Sequence, residues 1–184
     1  WDVRQALGPS DILLSDVGAH KMWVSRYYQC EEPNTCLISN GFCSMGFALP
    51  GAIGAKIAFP DRKVMAICGD AGFLMNVQDL ETAVRLKLNI VVMVWDDGEY
   101  GLIKWKQQNS FKGRHSELAF KNPDFELLAK SFGCWGKRVG APGELVPALK
   151  EAFKQKGPAL VAVPVDYGEN LKLTKRLGNL AVPI

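Results

Sequence analysis

Several common site chemistries lack their residues in this 184-residue chain. Only two histidines, His20 and His115, are present, and the five cysteines (Cys30, Cys36, Cys43, Cys68, Cys134) form no C-x-x-C pair, so a zinc site has no ligand set. An odd cysteine count without such spacing also argues against a disulfide framework and for reduced, cytoplasmic cysteine usage. No apolar run reaches membrane-spanning length and no secretory leader pattern is present. The net charge of +3 is spread along the chain, which gives no footprint for nucleic acid or a membrane surface. The mild excess at Lys104, Lys106, Lys112 and Arg114 reads as a solvated loop. G-x-G-x-x-G after a strand and G-x-x-x-x-G-K-[ST] are both missing, which removes the two common phosphate-binding loops.

What is present is an alternation of short apolar runs with helix-like runs. Strands are predicted at 11–15, 35–38, 63–68, 89–95, 134–139 and 159–165. Helices are predicted at 1–7, 22–28, 44–59, 76–87 (Asn76 as N-cap, Asp79 in the first turn), 122–132 (Pro123 at the first helical position) and 142–156. The stretch 98–122, with Gly98, Gly101 and Gly113, reads as a long functional loop containing amphipathic pieces. The tail from Asp166 to Ile184 is polar and expected to pack elsewhere. This pattern predicts one α/β domain: a doubly wound, mostly parallel sheet with helices on both faces. A helix-like start at Trp1 is expected of a segment from a longer polypeptide.

Two carboxylates stand out. Asp70, in Gly69-Asp70-Ala71-Gly72, follows the third strand, and Asp97, in Asp96-Asp97, follows the fourth. Parallel strands end on one sheet edge, where ligands of open α/β sheets bind. The two carboxylates can therefore meet at one hard cation. Ala71 and Gly72 let backbone N–H groups approach an anion closely. A diphosphate beside two carboxylates requires a cation, and Mg²⁺ suits one or two carboxylates plus phosphate oxygens.

The 27-residue spacing of Asp70 and Asp97 resembles the motif of the thiamin diphosphate enzymes, GDG followed by NN. The resemblance extends along most of the chain. It takes in Ser15-Asp16-Val17-Gly18-Ala19-His20, Ile38-Ser39-Asn40-Gly41, Met45-Gly46-Phe47-Ala48-Leu49-Pro50, Leu80-Glu81-Thr82-Ala83-Val84-Arg85-Leu86 and Val163-Pro164-Val165-Asp166-Tyr167. It is strongest towards the diphosphate-binding domain of acetolactate synthases of the catabolic type. That resemblance implies thiamin diphosphate and Mg²⁺ as cofactors, with Asp70, Asp97 and the Glu99 carbonyl as metal ligands. It implies coenzyme contacts from Val17, Gly18, Ala19, His20, Cys43, Gly69, Ala71, Gly72, Tyr100, Gly101 and Leu102. It implies Met45 as the apolar prop that holds the coenzyme bent, and Cys43 as the source of a backbone carbonyl.

The reaction implied is condensation of two pyruvates to 2-acetolactate and CO2, in a homo-oligomer. The activating Glu would come from a pyrimidine-binding domain that these residues do not contain, brought in by a second subunit. Trp105-Lys106 stands where biosynthetic relatives carry Gln-Trp, which favours pyruvate as acceptor. Another 2-keto acid decarboxylase or carboligase, a pyruvate oxidase, or a non-catalytic coenzyme-binding or interaction module are the other readings. Two positions depart from the motif. Ala71 replaces the last Gly of GDG, as is common in the acetolactate synthase branch. Asp96 and Asp97 replace the two Asn residues. A carboxylate at 96 is unfavourable beside a diphosphate unless it is well hydrogen-bonded.

Overall fold

The computed structural model describes residues 1–176. Six strands form one parallel sheet: β1 (Ile12–Ser15), β2 (Cys36–Ile38), β3 (Val64–Gly69), β4 (Ile90–Asp96), β5 (Trp135–Arg138) and β6 (Ala159–Pro164). Their order is β2-β1-β3-β4-β6-β5, and every pairing is parallel. β3 and β4 lie at the centre and are apolar on both faces, as parallel strands covered by two helical layers must be.

Successive residues feed opposite cores. On one face Val64, Ala66, Cys68, Val92 and Val94 pack with Leu49, Ala52, Ile53, Leu80, Phe125 and Ala129. On the other, Met65, Ile67, Val91 and Met93 pack with Leu7, Val24, Ala148 and Leu149. The first face is covered by α3 (Ala48–Ala58), α5 (Asp79–Arg85) and α7 (Phe125–Ser131), the second by α1 (Asp2–Ala6), α2 (Ala19–Tyr27) and α8 (Leu145–Ala152). The predicted doubly wound α/β layering is what is found. All five cysteines are free. No helix among the described residues is long and apolar enough to cross a membrane.

Four local expectations are corrected. Asn76 does not cap a helix: it closes α4 (Asp70–Met75), and α5 starts after Gln78. Its side chain is drawn into a long-range bond instead, donating to the Gly46 carbonyl at 2.7 Å. Pro123 precedes α7 rather than opening it; Asp124 is the N-cap and accepts from the N–H groups of Glu126 and Leu127 at 2.9 and 3.0 Å. The stretch 98–122 is not one loop, since α6 (Gly101–Ser110) occupies its first half and Lys104 and Lys106 sit on it. The described part of the tail returns to the domain: α9 (Asn170–Arg176) begins beside α2, with Trp23 Nε1 donating to Asn170 Oδ1 at 2.7 Å. Residues 177–184 of that predicted tail lie outside the described residues.

The topology places the site. The chain leaves β1 towards β2 on one side, then crosses to β3 on the other. The crevice beyond the carboxyl ends of β1 and β3 is therefore the switch point at which doubly wound sheets bind ligands. The turn 16–18, the start of α4 and the start of α6 all face it.

Candidate active site

One open cleft at the switch point is lined by every coenzyme and metal contact implied above except Cys43, with Ile103 and Tyr167 in addition, while Asp96 and Trp105-Lys106 lie outside it. Cys43 stands beside the lining, two residues from Met45, with its thiol receiving a hydrogen bond from Lys21 Nζ at 3.3 Å.

Asp70 opens α4 and is almost wholly buried. Its Oδ2 accepts from the N–H groups of Asp97 and Gly98 at 3.2 and 2.7 Å and from Asn122 Nδ2 at 2.6 Å. Its Oδ1 accepts from Ala71 N–H at 2.7 Å. Oδ2 is thus saturated, while Oδ1 keeps a lone pair for a ligand. Asp97 follows β4 on the same cleft wall. Burial pushes its carboxyl up to about 7, and the charges of Asp70 and Glu99 push in the same direction.

Two carboxylates converge on this one cleft, and the Asp70 charge adds to the burial that raises Asp97. Among the described residues no three His, Cys, Asp or Glu side chains are grouped to hold a metal by themselves. Two carboxylate oxygens completed by carbonyl and phosphate oxygens is the coordination that Mg²⁺ accepts and zinc sites do not use. The Glu99 carbonyl accepts from Gly101 N–H at 2.9 Å and retains a second lone pair, while its carboxylate pairs with Lys104. Residue 99 also pairs with Ala119, which ties the loop before α6 to the chain beyond it.

His20 lies in the first turn of α2, fully buried. Burial lowers its pKa to about 4, aided by the Lys21 charge and opposed by the Asp16 carbonyl, so the ring is neutral. Neither ring nitrogen has a hydrogen-bond partner at good geometry in the protein, and the Asp16 carbonyl acts on the ring only as a nearby dipole. A buried unpaired N–H is unfavourable by about 1–3 kcal/mol, and this ring lines the cleft. A Cβ on Gly18 would lie 2.8 Å from that ring, which is why the turn has none.

Met45 projects into the cleft from the irregular segment before α3, and that segment is clamped. Asp16, wholly buried, accepts from Val17 N–H at 2.8 Å, Gly46 N–H at 3.0 Å and Phe47 N–H at 3.2 Å. Asn76 holds the Gly46 carbonyl from the other side. Gly46 has φ of 82°, and a Cβ there would lie 2.5 Å from Asn76 Nδ2.

Tyr167 was outside the predicted site. It stacks on Trp95 with centroids 6.0 Å apart, and Trp95 in turn lies 6.1 Å from the His20 ring. Burial and the charges of Asp97 and Asp70 push its phenol well above the ordinary range, so it stays protonated. Asp16, Asn122 and Arg138 were likewise not given a site role, and Asn76 was read only as a helix cap. Their roles rest on contacts between residues 26 to 52 positions apart, for which the sequence carries no local signal.

Residues 16–163 match the family model "Thiamine pyrophosphate enzyme, C-terminal TPP binding domain". The chain belongs to this family. It is 41% identical over 184 residues to an acetolactate synthase of Bacillus subtilis, covering 97% of this chain and 32% of the relative. It is 41% identical to the catabolic acetolactate synthase of Raoultella terrigena over 91% of this chain and 30% of the relative. A large-subunit isozyme from Escherichia coli is 36% identical over 89% of this chain and 30% of its own length. This thiamine pyrophosphate-binding domain thus spans about a third of the length of the relatives it matches. A thiamine diphosphate-dependent 4-hydroxybenzoylformate decarboxylase from Rhodococcus jostii superposes with a TM-score of 0.84 over 91% of this chain and 32% of that one. At 24% identity that likeness shows the shared fold.

Proposed function

We propose that these residues are the diphosphate-binding domain of an acetolactate synthase that condenses two pyruvates to 2-acetolactate and CO2. The observation that carries the reading is the meeting of Asp70 and Asp97 in one cleft beside a neutral, unpartnered His20, in a chain 41% identical to acetolactate synthases. Asp70 Oδ1, an Asp97 oxygen and the Glu99 carbonyl would hold Mg²⁺. The backbone of Val17, Gly18 and Ala19, and that of Gly69, Ala71 and Gly72, would receive the diphosphate. His20, neutral, would donate one hydrogen bond without adding charge. Met45, fixed by the Asp16 clamp, is the apolar prop, while Tyr100, Gly101 and Leu102 close the far wall. Thiamin diphosphate, when bound, supplies the nucleophilic carbon and the electron sink for decarboxylation. The activating Glu would come from a pyrimidine-binding domain on the same polypeptide, delivered across a subunit interface.

The test is twofold. The complete enzyme should bind thiamin diphosphate only with Mg²⁺ in calorimetry and convert pyruvate to acetolactate. The 184-residue chain alone should produce none. Acetolactate formed by the isolated chain would overturn the need for a second domain. Absence of Mg²⁺-dependent coenzyme binding by the complete enzyme would overturn the reading as a whole.

Asp97 adds a pH prediction. Its pKa in the folded, metal-free protein is raised to about 7, so the folded state binds a proton that the unfolded chain releases near 4. The stability this contributes is present below pH 4 and is lost as pH rises through 7. Metal-free Asp97→Asn should therefore lack that loss and melt roughly 2–4 °C higher than the unsubstituted protein at pH 8, a modest gain because the carboxyl is partly open to solvent. Mg²⁺ binding at pH 6 should expel close to one proton in the unsubstituted protein and none in Asp97→Asn, read from calorimetry in buffers of different ionisation heat.

A further inference from the structure

Asp96 is the residue that departs furthest from the family motif, and it lines no part of the cleft. Its carboxylate is mostly buried at the end of β4. Oδ1 accepts from Asn122 Nδ2 at 2.7 Å, and Oδ2 accepts from Arg138 Nη1 at 2.5 Å. Arg138 ends β5, which is separated from β4 by β6, so its side chain reaches across a strand to make this pair. The same Asn122 Nδ2 donates to Asp70 Oδ2 at 2.6 Å. One amide nitrogen, with its two hydrogens, therefore bridges the motif's first carboxylate and its departing one. Asn122 is the only side chain among the described residues that hydrogen-bonds Asp70; its other donors are backbone N–H groups of the segments that must shape themselves around a bound cation.

We infer that Asn122 is a positioning residue for the metal-binding carboxylate of Asp70, and that the Asp96–Arg138 pair holds Asn122 in place. The inference rests on the proposed Mg²⁺ site. Four features support it. The donor contact fixes Oδ2, which leaves Oδ1 as the oxygen presented to the cleft. An Asn at 96 would offer one acceptor oxygen, whereas Asp offers two, one for Asn122 and one for Arg138. The Arg138 guanidinium offsets the added negative charge, so the departure from the motif comes with its own compensation. The Asn122 Oδ1 has no partner, so the amide is oriented by its nitrogen contacts alone.

The experiment is Mg²⁺ titration of the complete enzyme at saturating thiamin diphosphate, by calorimetry, for the unsubstituted protein, Asn122→Ala, Asp96→Ala and the double variant. Removal of a partner that orients a metal ligand typically weakens metal affinity about 10–100-fold, and Asn122→Ala should fall in that range. Asp96→Ala should show a smaller loss and add nothing further in the Asn122→Ala background, because both act through the same amide. Asp96→Asn, whose one acceptor oxygen serves either Asn122 or Arg138 but not both, should restore only part of the Asp96→Ala loss. Should Asn122→Ala not fold, Asp96→Ala against Asp96→Asn reads the same link. Unchanged Mg²⁺ affinity with a lowered melting temperature would overturn the inference, because it is the result of merely fastening the segment 98–122 to the sheet. Tighter Mg²⁺ binding by Asn122→Ala would also overturn it, since it would show the amide acting as a shield between carboxylates. Equal effects of Asp96→Ala in both backgrounds would mark a through-space charge effect and remove Asp96 from the device. If the unsubstituted enzyme itself shows no Mg²⁺-dependent coenzyme binding, the proposed function fails first, and the two failures are told apart by that control.

Discussion

Asp70→Ala is expected to abolish Mg²⁺-dependent binding of thiamin diphosphate in the complete enzyme, with at least about a 100-fold loss of metal affinity, a greater loss than removing a residue that only orients a ligand. The same substitution should also lower stability by about 2–4 kcal/mol, because the Asp97 and Gly98 N–H groups and the Asn122 amide lose their shared acceptor together. Asp70→Asn separates the two effects. With its amide oxygen in the place of Oδ2, the three donors keep their acceptor and the turn after β4 survives. Its amide nitrogen then stands where Oδ1 was, towards Ala71 N–H and the cation, and carries no lone pair to offer either. Asp70→Asn should therefore lose only the Ala71 contact, about 1–2 kcal/mol and less than Asp70→Ala, while binding Mg²⁺ almost as poorly as Asp70→Ala. Calorimetry and thermal unfolding on the same samples check this. Equal metal affinity in Asp70→Asn and the unsubstituted protein would remove Asp70 from the ligand set.

That Asp70 and Asp97 can be picked out without coordinates has a physical reason. Each directly follows a strand whose run of apolar residues is buried on both faces, and neighbouring parallel strands end on one edge. Such strands leave a strong signal, and so did the turn after β1. The helix α6 did not, since its faces are poorly divided: Trp105 is buried, Ile103 two residues before it is half exposed, and glycines stand at its start and beyond its end. Asn76 misled for a different reason. Its local pattern, an Asn followed by an acidic first turn, is that of an N-cap, but the amide is worth more across the fold, where it fixes Gly46 thirty positions away. The link from Arg138 through Asp96 and Asn122 to Asp70 was out of reach, because the strand order sets β6 between β4 and β5 and no spacing along the chain encodes that. Asp96 by itself reads as excess negative charge. Only its partners show that it is hydrogen-bonded on both oxygens and directed away from the cleft wall.

Asp16→Ala should be among the most damaging single substitutions outside the metal ligands, lowering stability by about 3–5 kcal/mol. The carboxylate is wholly buried at the end of β1, and three backbone N–H groups converge on it from two chain segments. Removing it leaves Val17, Gly46 and Phe47 without an acceptor, at about 1–3 kcal/mol for each buried donor that finds no water, and the penalties of neighbouring groups do not simply add. Burial itself raises the Asp16 carboxyl above its usual range, and the three N–H groups oppose that; the site therefore gives up some electrostatic stability in exchange for a fixed geometry. What the geometry fixes is Met45, whose neighbour Gly46 is gripped by Asp16 on its N–H and by Asn76 on its carbonyl. Asn76→Ala removes the second grip alone and leaves its partner, a carbonyl, with a free lone pair instead of an orphaned donor, so its stability loss should be smaller, about 1 kcal/mol. Because both grips act on the segment carrying Met45, both variants should lower kcat of the complete enzyme by more than they alter Mg²⁺ affinity, if Mg²⁺ is held at Asp70 and Asp97 as proposed. Thermal unfolding together with Mg²⁺ titration and steady-state rates distinguishes the cases. A loss of Mg²⁺ affinity in Asp16→Ala as large as that in Asp70→Ala would show that the clamp serves the whole cleft and not the Met45 segment.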